Sequence, residues 1–247
     1  MKHPPQLAYC ARSLAVPDDR VREIAVTWDL ALELADDGHL DEAFWRRAGV
    51  PLATVQAWWL HEAHPIHPDP LLRERAATRI LETLELAERL GAPRMLGVCG
   101  FGDDVADRPF ERCVDFFALL TPRARDAGLI VLLEPLSPRR CSAMWDPAEI
   151  VRLVAVLDAP DVFRLCLDTG HLMDSGFELD AFFDHFDTAV DEVQLKGPLS
   201  EPPIPSMSVG RWLAALPGET AVLSVEHNVA PPPGHVEDLI MGLRSQL

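Results

Sequence analysis

The sequence predicts a single (β/α)8 TIM barrel, of the α/β class, that occupies residues 1–247 as one domain. Three observations favour it. The chain has 247 residues and 48% hydrophobic content, which suits one barrel with one large core. Short apolar runs, typical of parallel strands buried on both faces, alternate with helical patterns along the whole chain. In the second half these runs recur about every 30 residues, the length of one βα unit.

Eight strands are predicted, and their bounds follow from the apolar runs. They are Gln6–Ala11, Asp29–Leu34, Thr54–Leu60, Arg94–Cys99, Leu129–Glu134, Phe163–Asp168, Glu192–Lys196 and Ala221–Glu226. The proline-rich stretches 198–205 and 231–233 follow the last two strands and are interpreted as rim loops rather than domain linkers.

Helices are predicted in the intervals between strands, and the clearest begins at Asp69-Pro70. Asp69 is an N-cap, Pro70 suits the first helical position, and Gly91 ends the helix. Asp146 and Glu149 have the spacing of a capping box at the start of another helix. The helix that begins at Pro70 has a predicted buried stripe of Ala76, Ile80, Leu84 and Ala87. Further helices are predicted from near Asp18 and at 107–126, 179–186, 206–216 and 235–243.

Composition excludes several classes of function. Asp and Glu number 39 against 22 Lys and Arg, a net charge of -17 that opposes nucleic-acid binding. The sequence has no membrane-spanning apolar run and begins without the apolar segment of a secretory signal, so we expect a cytoplasmic protein. The five cysteines are widely spaced and indicate buried thiols rather than disulfides or a zinc knuckle.

The ends of four consecutive strands carry the polar residues Glu134, Asp168, Gln194 and Glu226. In a parallel barrel these ends meet at one rim, where active sites lie. Each carboxylate alone could simply cap a helix or face solvent. Three together would repel one another, and a bound cation would remove that repulsion. The sequence therefore predicts an oxygen-rich cup that holds a divalent metal.

Two more residues are expected at this cup. His171 follows Asp168 by three residues across Gly170, a residue that permits a tight turn. Lys196 is one of only two lysines in the chain and ends the seventh strand beside the cup. We expect both side chains to face the same pocket as the carboxylates, and Lys196 to stabilise a developing oxyanion.

The strand ends carry four motifs, which are Leu-Glu-Pro at 133–135, Leu-Asp-Thr-Gly-His at 167–171, Val-Gln-Leu-Lys at 193–196 and Val-Glu at 225–226. Together these motifs resemble the xylose isomerase-like barrels, a family that includes sugar isomerases and epimerases, hydroxypyruvate isomerase, inosose dehydratase and endonuclease IV. The resemblance covers roughly Leu71 to Glu226. It implies that Glu134, Asp168 and Glu226 hold Mn²⁺, Mg²⁺, Co²⁺ or Zn²⁺, that Glu134 and Glu226 move the proton, and that His171 contacts substrate.

The chain departs from this family at Gln194, where the family usually has His, and at Gly197, where it usually has Asp. A Gln amide oxygen can ligate a hard cation, so Gln194 is expected as the fourth ligand, although it is weaker than imidazole toward Zn²⁺. After strand five the chain has Arg139 and Arg140. Arg140 near the cup would suit a substrate carboxylate or phosphate, and a solvated loop pair is the alternative.

A loop after the third strand carries two tryptophans and three histidines, at 58, 59, 61, 64 and 67. Pro65 and Pro68 break any helix there, which removes the usual spacing of helical metal ligands. We expect a rim loop in which Trp59 or His61 touches substrate.

The predicted function is a metal-dependent isomerase or epimerase of a small sugar, keto-polyol or hydroxy-keto acid, acting through an enediolate. A dehydratase of the same fold and a non-catalytic sugar-binding barrel with a decayed metal site stay open. A nuclease of the endonuclease IV type is opposed by the net charge and by the missing histidine on strand seven. The expected partner is a small polyhydroxy molecule, with no nucleic acid or membrane and with homo-oligomerisation left open.

Overall fold

A computed structural model of the chain describes residues 4–177, 190–203, 209–215, 220–232 and 234–247, and for residues 211, 212 and 215 it gives the backbone alone. Eight parallel strands form a closed barrel in the order of the sequence, as predicted. The strands are β1 Gln6–Cys10, β2 Ala31–Ala35, β3 Leu52–Gln56, β4 Arg94–Val98, β5 Ile130–Glu134, β6 Phe163–Asp168, β7 Val190–Leu195 and β8 Val222–Val225.

The third strand is the clearest correction to the predicted bounds. It ends at Gln56, and Trp58–His61 form a 3-10 helix rather than the end of the strand. The second strand begins at Ala31, after Asp29 has taken a left-handed conformation with φ 46°. Trp58 and Trp59 extended the third predicted run, but they belong to the 3-10 helix after the strand and do not continue the sheet.

Helices lie between the strands on the outside of the barrel. The α-helices of the described ranges are α1 Asp18–Thr27, α2 Glu42–Trp45, α3 Pro70–Leu90, α4 Pro109–Ala118, α5 Thr121–Ala127, α6 Pro147–Leu157, α7 Thr169–Asp174, α8 Val209–Ala215 and α9 His235–Arg244.

The helix signals behave as the sequence predicts at α3 and α6. The Asp69 carboxylate accepts a hydrogen bond from the Leu71 amide, and Asp146 caps α6 in the same way. The predicted helix 107–126 is divided into α4 and α5, with Pro122 in the first turn of α5. Because proline lacks an amide hydrogen, it fits a new first turn better than a helix interior. The helix predicted at 179–186 lies outside the described residues.

Three apolar clusters support the barrel. The largest lies between strands and helices, and it includes the predicted stripe of α3. A smaller one fills the barrel interior with Leu96, Leu132 and Cys166, and a separate cluster of small residues lies on the β1–β3 side. All five cysteines are buried and free. Among the described residues, no helix has the length and apolar character needed to cross a membrane.

Candidate active site

The predicted cup exists at the carboxyl ends of the strands. Glu134 ends β5, Asp168 ends β6, and Glu226 follows β8 directly. Lys196 follows β7 and points between them, with Nζ 2.5 Å from Asp168 Oδ2 and 3.4 Å from Glu226 Oε1. All four side chains are buried. The inward-facing positions of four strands have therefore placed three carboxylates around one ammonium.

The Asp-Thr-Gly-His segment holds this group in place. Asp168 caps α7 by accepting a hydrogen bond from the His171 amide at 3.0 Å. Thr169 Oγ1 donates to the Lys196 carbonyl at 2.8 Å and accepts from the Lys196 amide at 2.9 Å. Asp168 therefore caps α7 and also contacts Lys196 within the cup. Thr169 fastens the end of β6 to the end of β7, which keeps the ammonium against the Asp168 carboxylate.

The conformation of Gly170 corrects one expectation. Gly170 lies inside α7 and is not among the residues with positive φ. A Cβ at this position would lie 2.7 Å from the Gly197 carbonyl oxygen and 3.0 Å from Lys196 Cγ. Glycine is needed here for the close approach of α7 to the end of β7, rather than for a tight turn.

The charges within the cup shift one another's pKa values. Burial alone would raise the pKa of Asp168, but the Lys196 ammonium, the His171 ring and the hydrogen bonds to this carboxylate together lower it. Burial alone would lower the pKa of Lys196, yet the surrounding carboxylates raise it. These two groups therefore form a charged pair at neutral pH.

The pKa values of the two glutamates are raised, in contrast to that of Asp168. Burial, followed by the Asp168 and Glu226 carboxylates, raises the pKa of Glu134 well above its usual range. Burial also raises the pKa of Glu226 to about 7, although Lys196 opposes the shift. Burial lowers the pKa of His171 to about 4, so its ring is neutral at pH 7. Carboxyl groups with raised pKa values can exchange protons near neutral pH.

Part of the cup could hold a metal ion. Glu134, Asp168 and His171 each offer one ligand atom, and these atoms lie within 4.8 Å of one another. His171 Nε2 is 3.8 Å from Glu134 Oε1, too far for a direct hydrogen bond. Two carboxylates and a neutral imidazole suit several divalent metals. The donor set therefore fits the metal that the sequence predicts, with His171 as a donor that was expected to contact substrate.

Gln194 has a different environment from that of the other predicted ligands. Its side chain is buried within the barrel, and Nε2 donates to Glu33 Oε2 at 2.9 Å. Gln56 donates to the same oxygen at 2.6 Å and lies 3.4 Å from Glu226 Oε2. Gln194 Oε1 has no hydrogen-bond partner among the described residues. Glu33 therefore anchors Gln194 and Gln56 in a layer beneath the cup.

The layer beneath the cup contains a second pair of acids, Glu33 and Glu192. Thr54 Oγ1 donates to Glu192 Oε2 at 2.5 Å. Burial, followed by the Glu33 carboxyl, raises the pKa of Glu192 well above its usual range. The raised pKa favours the protonated form of Glu192, the form that relieves repulsion between two acids inside the barrel.

A cavity of about 730 Å³, partly open to solvent, lies above the cup. Its floor includes Glu134, His171, Lys196 and Glu226. Its walls are the rings and side chains of Trp58, His61, Phe101, Leu136, Arg140 and Asn228, among others. Aromatic rings, a guanidinium and carboxylates thus face the same space, as in a site for a small polar molecule.

The aromatic residues after β3 are divided between two environments. Trp58 and His61 line the cavity, and the His61 ring packs edge-on against Trp58 and Phe101. Trp59 does not line it: the ring is buried against α3, and Nε1 donates to Thr83 Oγ1 at 2.8 Å. The expectation that Trp59 touches substrate is not supported by this placement, because consecutive residues of the 3-10 helix face different sides.

Sequence reasoning missed Gln56, Phe101 and Asn228 as cavity residues. Gln56 carried a signal, since it is the polar end of a strand and alternates with Thr54 on the inward face. Asn228 lies two residues after Glu226. Phe101 reaches the cavity from the loop after β4, and nothing in the local sequence separates it from a core residue.

Comparison with known families gives one match. A model described as the xylose isomerase-like TIM barrel matches residues 42–197, more than half of the chain. No curated protein matches the sequence.

Solved structures share the fold at low sequence identity. A 3-keto-D-glucoside 4-epimerase from E. coli has a TM-score of 0.77 and 15% identity, over 98% of this chain and 99% of that one. An L-ribulose 3-epimerase has a TM-score of 0.77 and 14% identity, over 98% and 96%. The IolI protein, solved with a zinc atom, has a TM-score of 0.74 and 15% identity, over 98% and 96%. The chain also covers 42% of a fusion of such a barrel with a 4-hydroxyphenylpyruvate dioxygenase, with a TM-score of 0.75 and 17% identity.

Proposed function

We infer the function of this chain from one premise: it belongs to the xylose isomerase-like TIM-barrel family. We propose that it is an isomerase or epimerase of a small sugar, keto-polyol or hydroxy-keto acid. The observation that carries this proposal is that Glu134 and Glu226, on two separate strands, face one cavity with Lys196 and His171 beside them. Structural neighbours that are sugar epimerases support it.

The proposed chemistry begins with a C–H bond next to a substrate carbonyl. One glutamate removes this proton and leaves an enediolate. The same or the other glutamate then returns a proton. Return to the neighbouring carbon, with the hydroxyl proton passing to the former carbonyl oxygen, gives an isomer, and return to the opposite face of the first carbon gives an epimer. Because the glutamates come from different strands, they can serve different faces of the same carbon.

Lys196 and His171 take the role of stabilising the negative oxygen of the enediolate. The Lys196 ammonium is charged and buried at the cavity floor, where an ionic hydrogen bond is stronger than in water. His171 is neutral and can donate a hydrogen bond from its ring without adding charge when no metal is bound; with the metal proposed below on its ring, the Lys196 ammonium would be the donor.

We propose a divalent metal, Mn²⁺, Mg²⁺, Co²⁺ or Zn²⁺, as the cofactor. Glu134, Asp168 and His171 would hold it, and it would acidify the substrate C–H bond by polarising the carbonyl and the adjacent hydroxyl. The predicted ligands Gln194 and Glu226 lie beside this group, with Gln194 bonded to Glu33 and Glu226 close to Lys196.

Arg140 supports a substrate that carries an acidic group. Its guanidinium lines the cavity, donates to Ser200 Oγ at 3.0 Å and lies over the Phe101 ring. No carboxylate among the described residues forms a salt bridge with it, whereas Arg139 lies near Asp174. A guanidinium that lies over one aromatic ring and forms no salt bridge within the described residues suits a carboxylate or phosphate. Within the proposed range of substrates, this favours a hydroxy-keto acid or a sugar acid.

The test is hydrogen exchange at the substrate carbon next to the carbonyl. NMR measures this exchange in D2O with Mn²⁺ present. Keto-sugars, inososes and hydroxy-keto acids are screened, because exchange reports the enediolate whatever product follows. Glu134→Gln and Glu226→Gln each should lower the exchange rate by roughly 10²–10⁴-fold, since each removes a proton-transfer group while keeping the side-chain shape.

Glu201→Gln is the matched control, an exposed glutamate on the rim after β7, and its exchange rate should equal that of the native protein. Exchange that survives both active-site substitutions would contradict the assignment of the glutamates. Binding of these compounds without exchange would favour a sugar-binding barrel, and loss of a substrate hydroxyl would identify a dehydratase.

A further inference from the structure

The Lys196 ammonium lies where the carboxylates of the cup would hold a cation. Its Nζ is 2.5 Å from Asp168 Oδ2 and 3.4 Å from Glu226 Oε1, and all three side chains are buried. Buried carboxylates need a positive partner, and here the chain itself supplies one. The double hydrogen bond between Thr169 and the Lys196 backbone fixes the base of this side chain.

A divalent ion on Asp168 would compete with this ammonium. Metal–oxygen bonds to carboxylates are about 2.0–2.2 Å long, so an ion on Asp168 Oδ2 would lie within about 5 Å of Nζ. Two positive charges at so short a separation in a buried site repel each other strongly. The ion can be accommodated only if the ammonium turns away from Asp168.

Strand seven offers nothing that compensates for this repulsion. Gln194 and Lys196 are two residues apart and face the same inward side of β7, so both belong to the cup or to the layer beneath it. Gln194 is neutral, and its amide nitrogen is held by Glu33. The strand therefore brings a positive charge to the cup without an anionic or imidazole ligand.

We infer that Lys196 is a built-in competitor for the divalent metal. Its ammonium neutralises Asp168 and Glu226 in the absence of metal, and metal binding at Glu134, Asp168 and His171 requires its displacement. The protein accordingly binds divalent ions more weakly than its donor set alone would allow. The inference rests on the metal of the proposed function, but it concerns binding without substrate, so the two can fail separately.

The test is Mn²⁺ binding to the purified full chain. EPR of the free ion and calorimetry measure the affinity. Lys196→Met should bind Mn²⁺ at least about tenfold more tightly than the native protein, a size typical of changes at groups that surround a metal site. Gln194→His should change the affinity less than about threefold, because the ammonium is still present. Arg140→Gln, which removes a positive charge from the same cavity without touching Asp168, should also change it less than about threefold.

Three results would overturn the inference. Native protein that binds Mn²⁺ as tightly as Lys196→Met does would show that the ammonium does not compete with the metal. A gain produced by Gln194→His alone would show that the missing histidine limits binding. An equal gain from Arg140→Gln would show that the general field of the cavity is responsible, rather than the contact with Asp168.

Lys196→Met leaves Asp168 and Glu226 without their partner, so its thermal unfolding is measured with and without Mn²⁺. The inference predicts a larger stabilisation by Mn²⁺ in this variant than in the native protein, since tighter binding to the folded state raises its stability more. If Lys196→Met does not fold with or without Mn²⁺, the Mn²⁺ affinities of Lys196→Arg and Gln194→His test the inference instead. Weak binding by both supports the inference, and tight binding by either one overturns it.

Discussion

Trp58 and Trp59 show how far two neighbouring residues can differ in role. Trp58 lines the cavity, and the Arg12 guanidinium lies over its ring. Trp59 packs against α3, with Arg79 over its ring and Thr83 accepting its indole hydrogen. One tryptophan can therefore act on the substrate and the other on the stability of the fold.

Substituting each tryptophan by phenylalanine should separate these roles. Trp59→Phe should lower the free energy of unfolding by about 1–3 kcal/mol, because it leaves Thr83 without its donor and empties part of the buried volume. Its KM should stay unchanged. Trp58→Phe should raise KM for the active substrate with little change in stability. Denaturant unfolding and steady-state kinetics on both variants check this, and a reversal of the two patterns would contradict it.

At the scale of elements, the junction of β6, α7 and β7 determines the geometry of the cup. Asp168 both caps α7 and contacts Lys196, and Thr169 joins the two strand ends. Gly170 allows α7 to approach the Gly197 carbonyl. Three consecutive residues thus set the position of an ammonium that belongs to another strand.

Gly170→Ala should disrupt this junction. Its Cβ would lie 2.7 Å from a backbone oxygen, so the end of β7 must move and carry Lys196 with it. We expect a loss of stability of about 1–3 kcal/mol, as for other overpacked sites, and a fall in kcat. Gly210→Ala is the control, because within the described part of the chain its Cβ would meet only the Gln246 carbonyl oxygen at 3.5 Å. Thermal unfolding and the exchange assay report both effects, and a variant with native values in both would refute the close-approach argument.

At the scale of the molecule, charged groups at the two ends of the barrel serve different purposes. At the carboxyl end, Glu134, Glu226 and Lys196 line the cavity, and the buried Asp168 contacts Lys196. At the amino end, Arg94 of β4 forms a buried salt bridge with Asp191 of β7 and does not line the cavity. Polar residues at the lower end of such barrels contribute to stability, whereas those at the upper end carry chemistry.

Arg94→Met should therefore affect folding rather than turnover. It leaves Asp191 as a buried charge without its partner, and removal of one member of such a pair costs about 3–5 kcal/mol. Asp191→Leu in the same chain should recover part of the loss, because it also removes the unpaired charge. Urea unfolding of the single and double variants measures this. A large fall in kcat of folded Arg94→Met would show that the lower salt bridge also acts on the cup.

The sequence by itself determined the barrel, the order of its strands and the carboxylates of the cup. These depend on local patterns, since apolar runs, caps such as Asp69 and polar strand ends such as Asp168 are written in consecutive residues. Only the tertiary structure decided that Lys196 lies between Asp168 and Glu226, that Gln194 bonds to Glu33, and that Trp58 rather than Trp59 faces the cavity. The physical reason is that each of these contacts joins different strands or depends on which side of a turn a ring faces. Sequence spacing places a residue at the rim, but the partner of its side chain is set by the closure of the barrel.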